Sequence, residues 1–194
     1  MLLYSFIAFV IAKLKGYHLT PILKAYSLYP FALAELFYLF LQLNIILRNY
    51  TYIQYTALIN SVYLYTLILP MLAYRLYKPG IIGSLFIISG TFLNKFVMSQ
   101  NAGKMPVFAT LSKLTGYYDA AAIHTVDSIH IVGNAGTNFK ILSDYIDLGF
   151  SILSIGDLLI HSFTTIIVYY VIKEINVNPK YKKKKEKEFL YGII

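Results

Sequence analysis

The sequence has no cysteine and little charge. Without cysteine there is no disulfide framework, no thiolate nucleophile and no Cys-based zinc site. Charged residues make up 13% of the 194 positions, about half of the roughly 25% usual in soluble domains. Hydrophobic residues make up 58%. A water-soluble globule of this size has too little interior for so much apolar side chain. A bilayer removes the need for one, because acyl chains stand in for the buried core. No His-Glu-x-x-His metal motif and no Gly-x-Ser-x-Gly nucleophile elbow occurs, and no motif implies a cofactor. Asn49-Tyr50-Thr51 is a chance sequon.

Acids are the scarcer charge, and the net charge of +8 is unevenly placed. Lys173, Lys180, Lys182, Lys183, Lys184, Lys185 and Lys187 stand against Glu174, Glu186 and Glu188, so half of the excess lies near the C-terminus. A basic tail beside a hydrophobic helix suits anionic lipid headgroups better than nucleic acid.

Five apolar stretches predict helices over about 2–18, 25–47, 52–74, 81–99 and 150–172. The first is apolar only over Leu2–Ala12 and reaches spanning length if Lys13 and Lys15 snorkel. It lacks a basic n-region and a small-x-small cleavage site, so it reads as a membrane helix rather than a cleaved signal. Pro70 falls in the last turn of the third stretch, and Pro79-Gly80 breaks the chain before the fourth. Tyrosines such as Tyr26, Tyr29, Tyr50, Tyr52, Tyr74, Tyr77, Tyr169 and Tyr170 cluster near the ends, the place for rings at headgroup level. Lys13, Lys15, Lys24, Arg75, Lys78 and the tail fall on one side, whereas Arg48 and the segment 99–149, itself of net charge −1, fall on the other. The positive-inside rule then predicts an outer N-terminus and a cytoplasmic C-terminus. The expected fold is all-α: a polytopic transmembrane bundle of about five helices over 1–178, followed by a disordered basic tail over 179–194.

Residues 100–149 are too long and too apolar for a plain loop. A partly helical extracytoplasmic segment is expected, with short helices near 107–114 and 120–132. The run Asn94-Lys95-Phe96-Val97-Met98-Ser99-Gln100-Asn101-Ala102-Gly103-Lys104-Met105-Pro106-Val107 resembles the signature of a bacterial membrane-protein family, domain of unknown function 5317. So do Gln42, His124 or His130, Thr137, Leu142-Ser143-Asp144 and Ser154-Ile155-Gly156-Asp157. Ala102 stands where that family usually has a second Gly, and Ser143 where it has the Gly before the Asp. The resemblance implies a multi-pass fold in a bacterial plasma membrane and supplies no activity.

Several residues are candidates for a site. Glu35 is the deepest charge, and Asp157 lies about six residues into the last apolar stretch. Intramembrane acids are costly and should face the bundle interior, with Lys95 or Asn94 as partner. Asn101 and Lys104 form either a helix cap and tight turn or a polar lip for a headgroup. His124, Asp127 and His130, completed by Asp144 or Asp157, make a weak metal candidate. The first functional reading is a binding or accessory protein that holds a ligand, or docks a membrane-protein partner, through Asn94, Asn101, Asp144 and Asp157. The second is an enzyme on a lipid-linked or cell-wall substrate with a His base. The third is a small transporter or substrate-capture subunit centred on Glu35.

Overall fold

The computed structural model describes residues 2–49, 51–52, 55–118, 129–178 and Tyr181. Among these the chain forms seven helices: α1 Leu2–Leu14, α2 Tyr29–Ile46, α3 Thr56–Thr66, α4 Ile68–Ala73, α5 Tyr77–Ser99, α6 Leu111–Leu114 and α7 Ile155–Val177. It also forms four short strands: β1 Met105–Val107, β2 His130–Val132, β3 Ile146–Asp147 and β4 Ile152–Leu153. The fold is therefore mostly helical. Three helical stretches, Tyr26–Ile46, Tyr77–Ser99 and Ile155–Val177, are long and apolar enough to cross a membrane. At 1.5 Å per residue a 23-residue helix is about 35 Å long, against about 30 Å of hydrocarbon.

The packing is inverted relative to a soluble bundle. On α5 the buried positions are Gly80, Gly83, Gly90 and Val97. Its large apolar side chains Ile81, Leu85, Ile88 and Phe92 are each more than half exposed. Small residues inside and bulky apolar ones outside are what lipid-facing helices show, because close backbone approach drives their association. α7 is the central helix, burying Phe163, Thr164, Ile167, Val168, Val171 and Ile172 against α5, α1 and α4. α1 packs on it through Tyr4, Ala8 and Ala12, and Thr165 Oγ1 donates to the Tyr4 carbonyl at 2.9 Å.

Helix bounds differ from expectation for local reasons. α1 ends at Leu14, where Gly16 takes φ +78° and closes the helix, so its 13 residues fall short of a span. Residues 20–28 are two short 3-10 turns, and α2 begins only at Tyr29, with Pro30 in its first turn. The third stretch is broken into α3 and α4 at Leu67 because Pro70, within α4, offers no N–H to the Thr66 carbonyl. Pro79-Gly80 does not break the chain; both lie in the first turn of α5, where the proline's missing N–H has no role.

The connections segregate to two ends. At one, His18 N donates to Asn176 Oδ1 and Asn176 Nδ2 to the His18 carbonyl, each at 3.0 Å. Lys13, Lys15, Lys24, Arg75, Lys78 and Lys173 belong to this end. At the other, residues 100–118 and 129–153 fold into a cap. The expected helix near 107–114 is β1 followed by the single turn α6. The expected helix over 120–132 lies outside the described residues up to 128, and its remainder holds strand β2, not helix. β1 is central, pairing in parallel with β2 through Met105–His130, Pro106–Ile131 and Val107–Val132. On its other edge Phe108 N donates to Asp144 O and Asp144 N to Pro106 O. Pro106, with no N–H, contributes its carbonyl alone. The antiparallel β3–β4 pair leads directly into α7. The cap is fastened to α2 by Gln42 Nε2, which donates to Phe150 O at 3.3 Å. Except for Tyr181, the tail over 179–194 lies outside the described residues.

Candidate functional site

α7 begins with Ser-x-x-Asp, which makes a reciprocal cap. Asp157 N donates to Ser154 Oγ at 2.9 Å, and Ser154 N to Asp157 Oδ2 at 3.0 Å. Asp157 is thus in the first helical turn, where the macrodipole favours an anion, and not six residues inside the helix as its place in the apolar run suggested. Asn94 of α5 joins this cap from the side. Its Nδ2 donates to Asp157 Oδ1 at 2.9 Å and its Oδ1 accepts from Ser154 Oγ at 2.8 Å. The amide uses donor and acceptor together, locking α5 to the mouth of α7.

Glu35 lies deeper and is only 4% exposed. Its Oε1 accepts from Ser5 Oγ of α1 at 2.9 Å and from Tyr63 OH of α3 at 3.2 Å. His161 joins the two levels. It follows Asp157 by four positions on α7, hence on the same face, and its ring lies 5.1 Å from Tyr4 and 6.2 Å from Tyr63. Tyr38 is within electrostatic reach of Glu35, Asp157, Tyr4 and Tyr117. Polar side chains of α1, α2, α3 and α7 thus lie at successive levels from the cap end toward the bundle centre, a polar seam in the bundle.

Three buried atoms of this seam have no hydrogen-bond partner among the described residues: Tyr4 OH, Glu35 Oε2 and His161 Nδ1. Buried polar atoms are seldom left without partners, and each costs about 1–3 kcal/mol when they are. These atoms, together with the buried Glu35, make this region the candidate site.

The other residues singled out from the sequence fall elsewhere. Lys95 is exposed on α5 and makes no ion pair with Glu35 or Asp157 among the described residues; Ser5, Tyr63 and Asn94 donate hydrogen bonds to these acids. Asn101 is held in the turn after α5: its Nδ2 donates to Val97 O and Asn138 O, and its Oδ1 accepts from Asn138 N at 3.0 Å. Lys104 closes the same turn through its backbone N–H to Asn101 O. Asp144 is buried beside β1, with its Oδ2 3.3 Å from His130 Nε2. His124 and Asp127 lie outside the described residues, and among the described ones no three His, Asp or Glu side chains gather as a metal site.

Sequence reasoning missed Tyr4, Ser5, Tyr63 and His161. For His161 the signal was available in its four-residue spacing from Asp157. For Tyr63 and Ser5 nothing local distinguishes them from neighbours. Asp147 was missed as well. Its carboxylate accepts from Thr110 N, Thr110 Oγ1, Ser112 N, Ser112 Oγ and Gly149 N, capping α6 and closing the β3–β4 turn. Partial burial pushes this carboxyl up, and the hydrogen bonds from Ser112, Thr110 and Gly149 outweigh it, bringing the pKa down to about 2.

A family of unknown function (DUF5317) matches over residues 19–169. That range takes in Glu35, Tyr63, Asn94, the cap, Asp157 and His161. No curated protein and no solved structure matches the chain.

Proposed function

The chain belongs to the DUF5317 family of unknown function, and from that premise we propose that it is a multi-pass bacterial plasma-membrane protein that binds a small polar ligand in its interior seam. The observation that carries this is the set of three enclosed polar atoms, Tyr4 OH, Glu35 Oε2 and His161 Nδ1, that have no partner among the described residues. The ligand enters from the cap end, where Asn94, Ser154 and Asp157 form the rim. The segregation of Lys13, Lys15, Lys24, Arg75, Lys78 and Lys173 supports a cytoplasmic location for the opposite end. The basic tail then lies against anionic headgroups, and the exposed apolar faces meet lipid or a membrane-protein partner.

Native mass spectrometry of protein released from its own membrane tests the reading. A small molecule should co-purify with wild type and be lost in a folded Glu35→Gln variant. Wild type free of any such molecule, with unfolding unaffected by metabolite extracts, rejects it.

A second reading, a cap-borne enzyme, is favoured by one contact: His130 Nε2 beside Asp144 Oδ2, a base held by a carboxylate. His130→Gln that leaves cell-wall lipid intermediates unchanged removes it.

A further inference from the structure

We propose that the turn Phe139-Lys140-Ile141 of the cap is a lipid anchor, which lays Phe139 and Ile141 into the leaflet on the cap side, beside the end of α5. The anchor goes beyond the ligand reading and does not involve the interior seam. The two share the premise that α5 spans a bilayer.

The backbone of this turn is one that its side chain disfavours. Phe139 has φ +53° and ψ +43°, the left-handed region that a residue with a Cβ rarely adopts and glycine adopts freely. Such a conformation persists where the surroundings over-determine it, and here they do. Asn138 N donates to Asn101 Oδ1 and Asn101 Nδ2 to the Asn138 carbonyl, each at 3.0 Å. Asn138 Nδ2 donates to Gln100 O at 2.9 Å. These bonds fasten the turn to the end of α5. On its other side the Phe139 carbonyl accepts from Leu142 N, Ser143 N and Ser143 Oγ. The turn is held from both sides, and glycine would suit its dihedrals better than phenylalanine. What phenylalanine adds is the ring.

That ring continues a lipid-facing surface. It stands edge to face on Phe96 of α5, with centroids 4.8 Å apart, yet the residue remains 48% exposed. Phe96 follows Phe92 by one turn, at the head of the exposed apolar stripe formed by Ile81, Leu85, Ile88 and Phe92. It lies three residues before the helix end at Ser99, or about 4.5 Å. A helix of about 35 Å centred on about 30 Å of hydrocarbon leaves about 2 Å over at each end. Phe139 therefore stands at the hydrocarbon edge, the depth at which the apolar faces of interfacial segments settle. Ile141, two positions on, is 70% exposed. Lys140 between them is turned back toward the cap, its Nζ 4.8 Å from the Phe108 ring and 5.5 Å from that of Tyr145. Two bulky apolar side chains, held rigidly beside a lipid-facing helix and cleared of the intervening charge, fit acyl chains and offer nothing to a polar ligand.

The chain has no cysteine and no tryptophan, so a single introduced probe reports on one place. Ile141→Cys carrying a nitroxide, in vesicles of phosphatidylethanolamine and phosphatidylglycerol, should collide with oxygen in preference to a water-soluble nickel chelate. Phe92→Cys, in the α5 stripe, should do the same. Ile141→Trp should lose its fluorescence to lipids brominated on the acyl chain near the headgroup. Ile141 is exposed, so substitution there removes little packing. An Ile141 label that prefers the chelate, while Phe92 prefers oxygen, overturns the anchor and leaves the span and the ligand reading standing. A label shielded from both reagents shows a protein partner or a second copy over the turn, and overturns it too. Preference for the chelate at both positions removes the span and the anchor with it.

Discussion

Gly90 of α5 and Gly156 of α7 meet backbone to backbone: a methyl on Gly90 would stand 2.3 Å from the Gly156 carbonyl oxygen, and one on Gly156 2.7 Å from that of Gly90. The approach brings Asn94, one turn along α5, within reach of both Ser154 and Asp157. The rim of the proposed site is therefore set by two residues that carry no side chain.

Gly156→Ala should be among the most damaging single substitutions. Its methyl would also lie 2.0 Å from Asn94 Oδ1, so the clash falls on backbone and on a locked amide, neither of which can yield cheaply. Overpacking costs about 1–3 kcal/mol, and the upper end applies here, together with loss of the Asn94 bridge. The expected result is a sharply lowered thermal midpoint in detergent and reduced recovery of monodisperse protein. A midpoint equal to wild type would show that α5 and α7 do not approach this closely.

Asn94 makes a more selective test. Asn94→Leu keeps the volume but leaves Asp157 Oδ1 and Ser154 Oγ without their partner, for a loss of about 1–3 kcal/mol. Asn94→Asp should be worse, because it sets a second carboxylate against Asp157. If chemical denaturation ranks the aspartate variant above the leucine one, the contact between Asn94 and Asp157 does not hold α5 to α7.

How far the sequence foretold this architecture depends on the kind of signal. Apolar length was legible, because a bilayer demands it over some twenty residues, and α2, α5 and α7 follow. Helix ends were less so. Pro79 was read as a breaker although the first helical turn accepts it, and Pro70 was placed at a helix end although it divides α3 from α4. Asp157 shows the same weakness: hydropathy placed it inside a span, while the Ser154-x-x-Asp157 pattern, a local hydrogen-bonding signal, places it at a cap. The burial of Glu35 followed from the cost of charge in lipid. Its partners Ser5 and Tyr63 did not, since they arrive from helices 30 and 28 positions away and pairing at that distance leaves no trace in one sequence.

The turn after α5 holds a residue at odds with its backbone. Ala102 has φ +54°, followed by Gly103 at φ +77°. For a residue with a Cβ the left-handed region costs about 1–2 kcal/mol, while glycine occupies it without penalty but loses about 0.5–1 kcal/mol in chain entropy. Ala102→Gly should therefore stabilise the protein by about 0.5–1 kcal/mol, seen as a modest rise in thermal midpoint. The glycine usual at this place in the resembling family is explained by the same dihedral. A fall in the midpoint would mean that Ala102 has a packing role, although its side chain is exposed.

The cap should have its own acid sensitivity, set by Asp147. Its folded pKa, about 2, lies below the ordinary 3.8. A group with a depressed folded pKa contributes stability that is complete above the unfolded value and is lost as pH falls through the folded one. The cap should then be indifferent to pH above about 4 and loosen between 3.8 and about 2. The amides of Thr110, Ser112 and Gly149, which donate to this carboxylate, report on it directly. Their protection factors in hydrogen exchange should hold at pH 5 and drop across that window, while amides of α5 and α7 stay protected. In Asp147→Asn the Thr110 and Ser112 amides should be weakly protected at every pH, with no window. Equal protection in the variant and wild type at pH 5 would show that α6 is held by packing and not by this carboxylate.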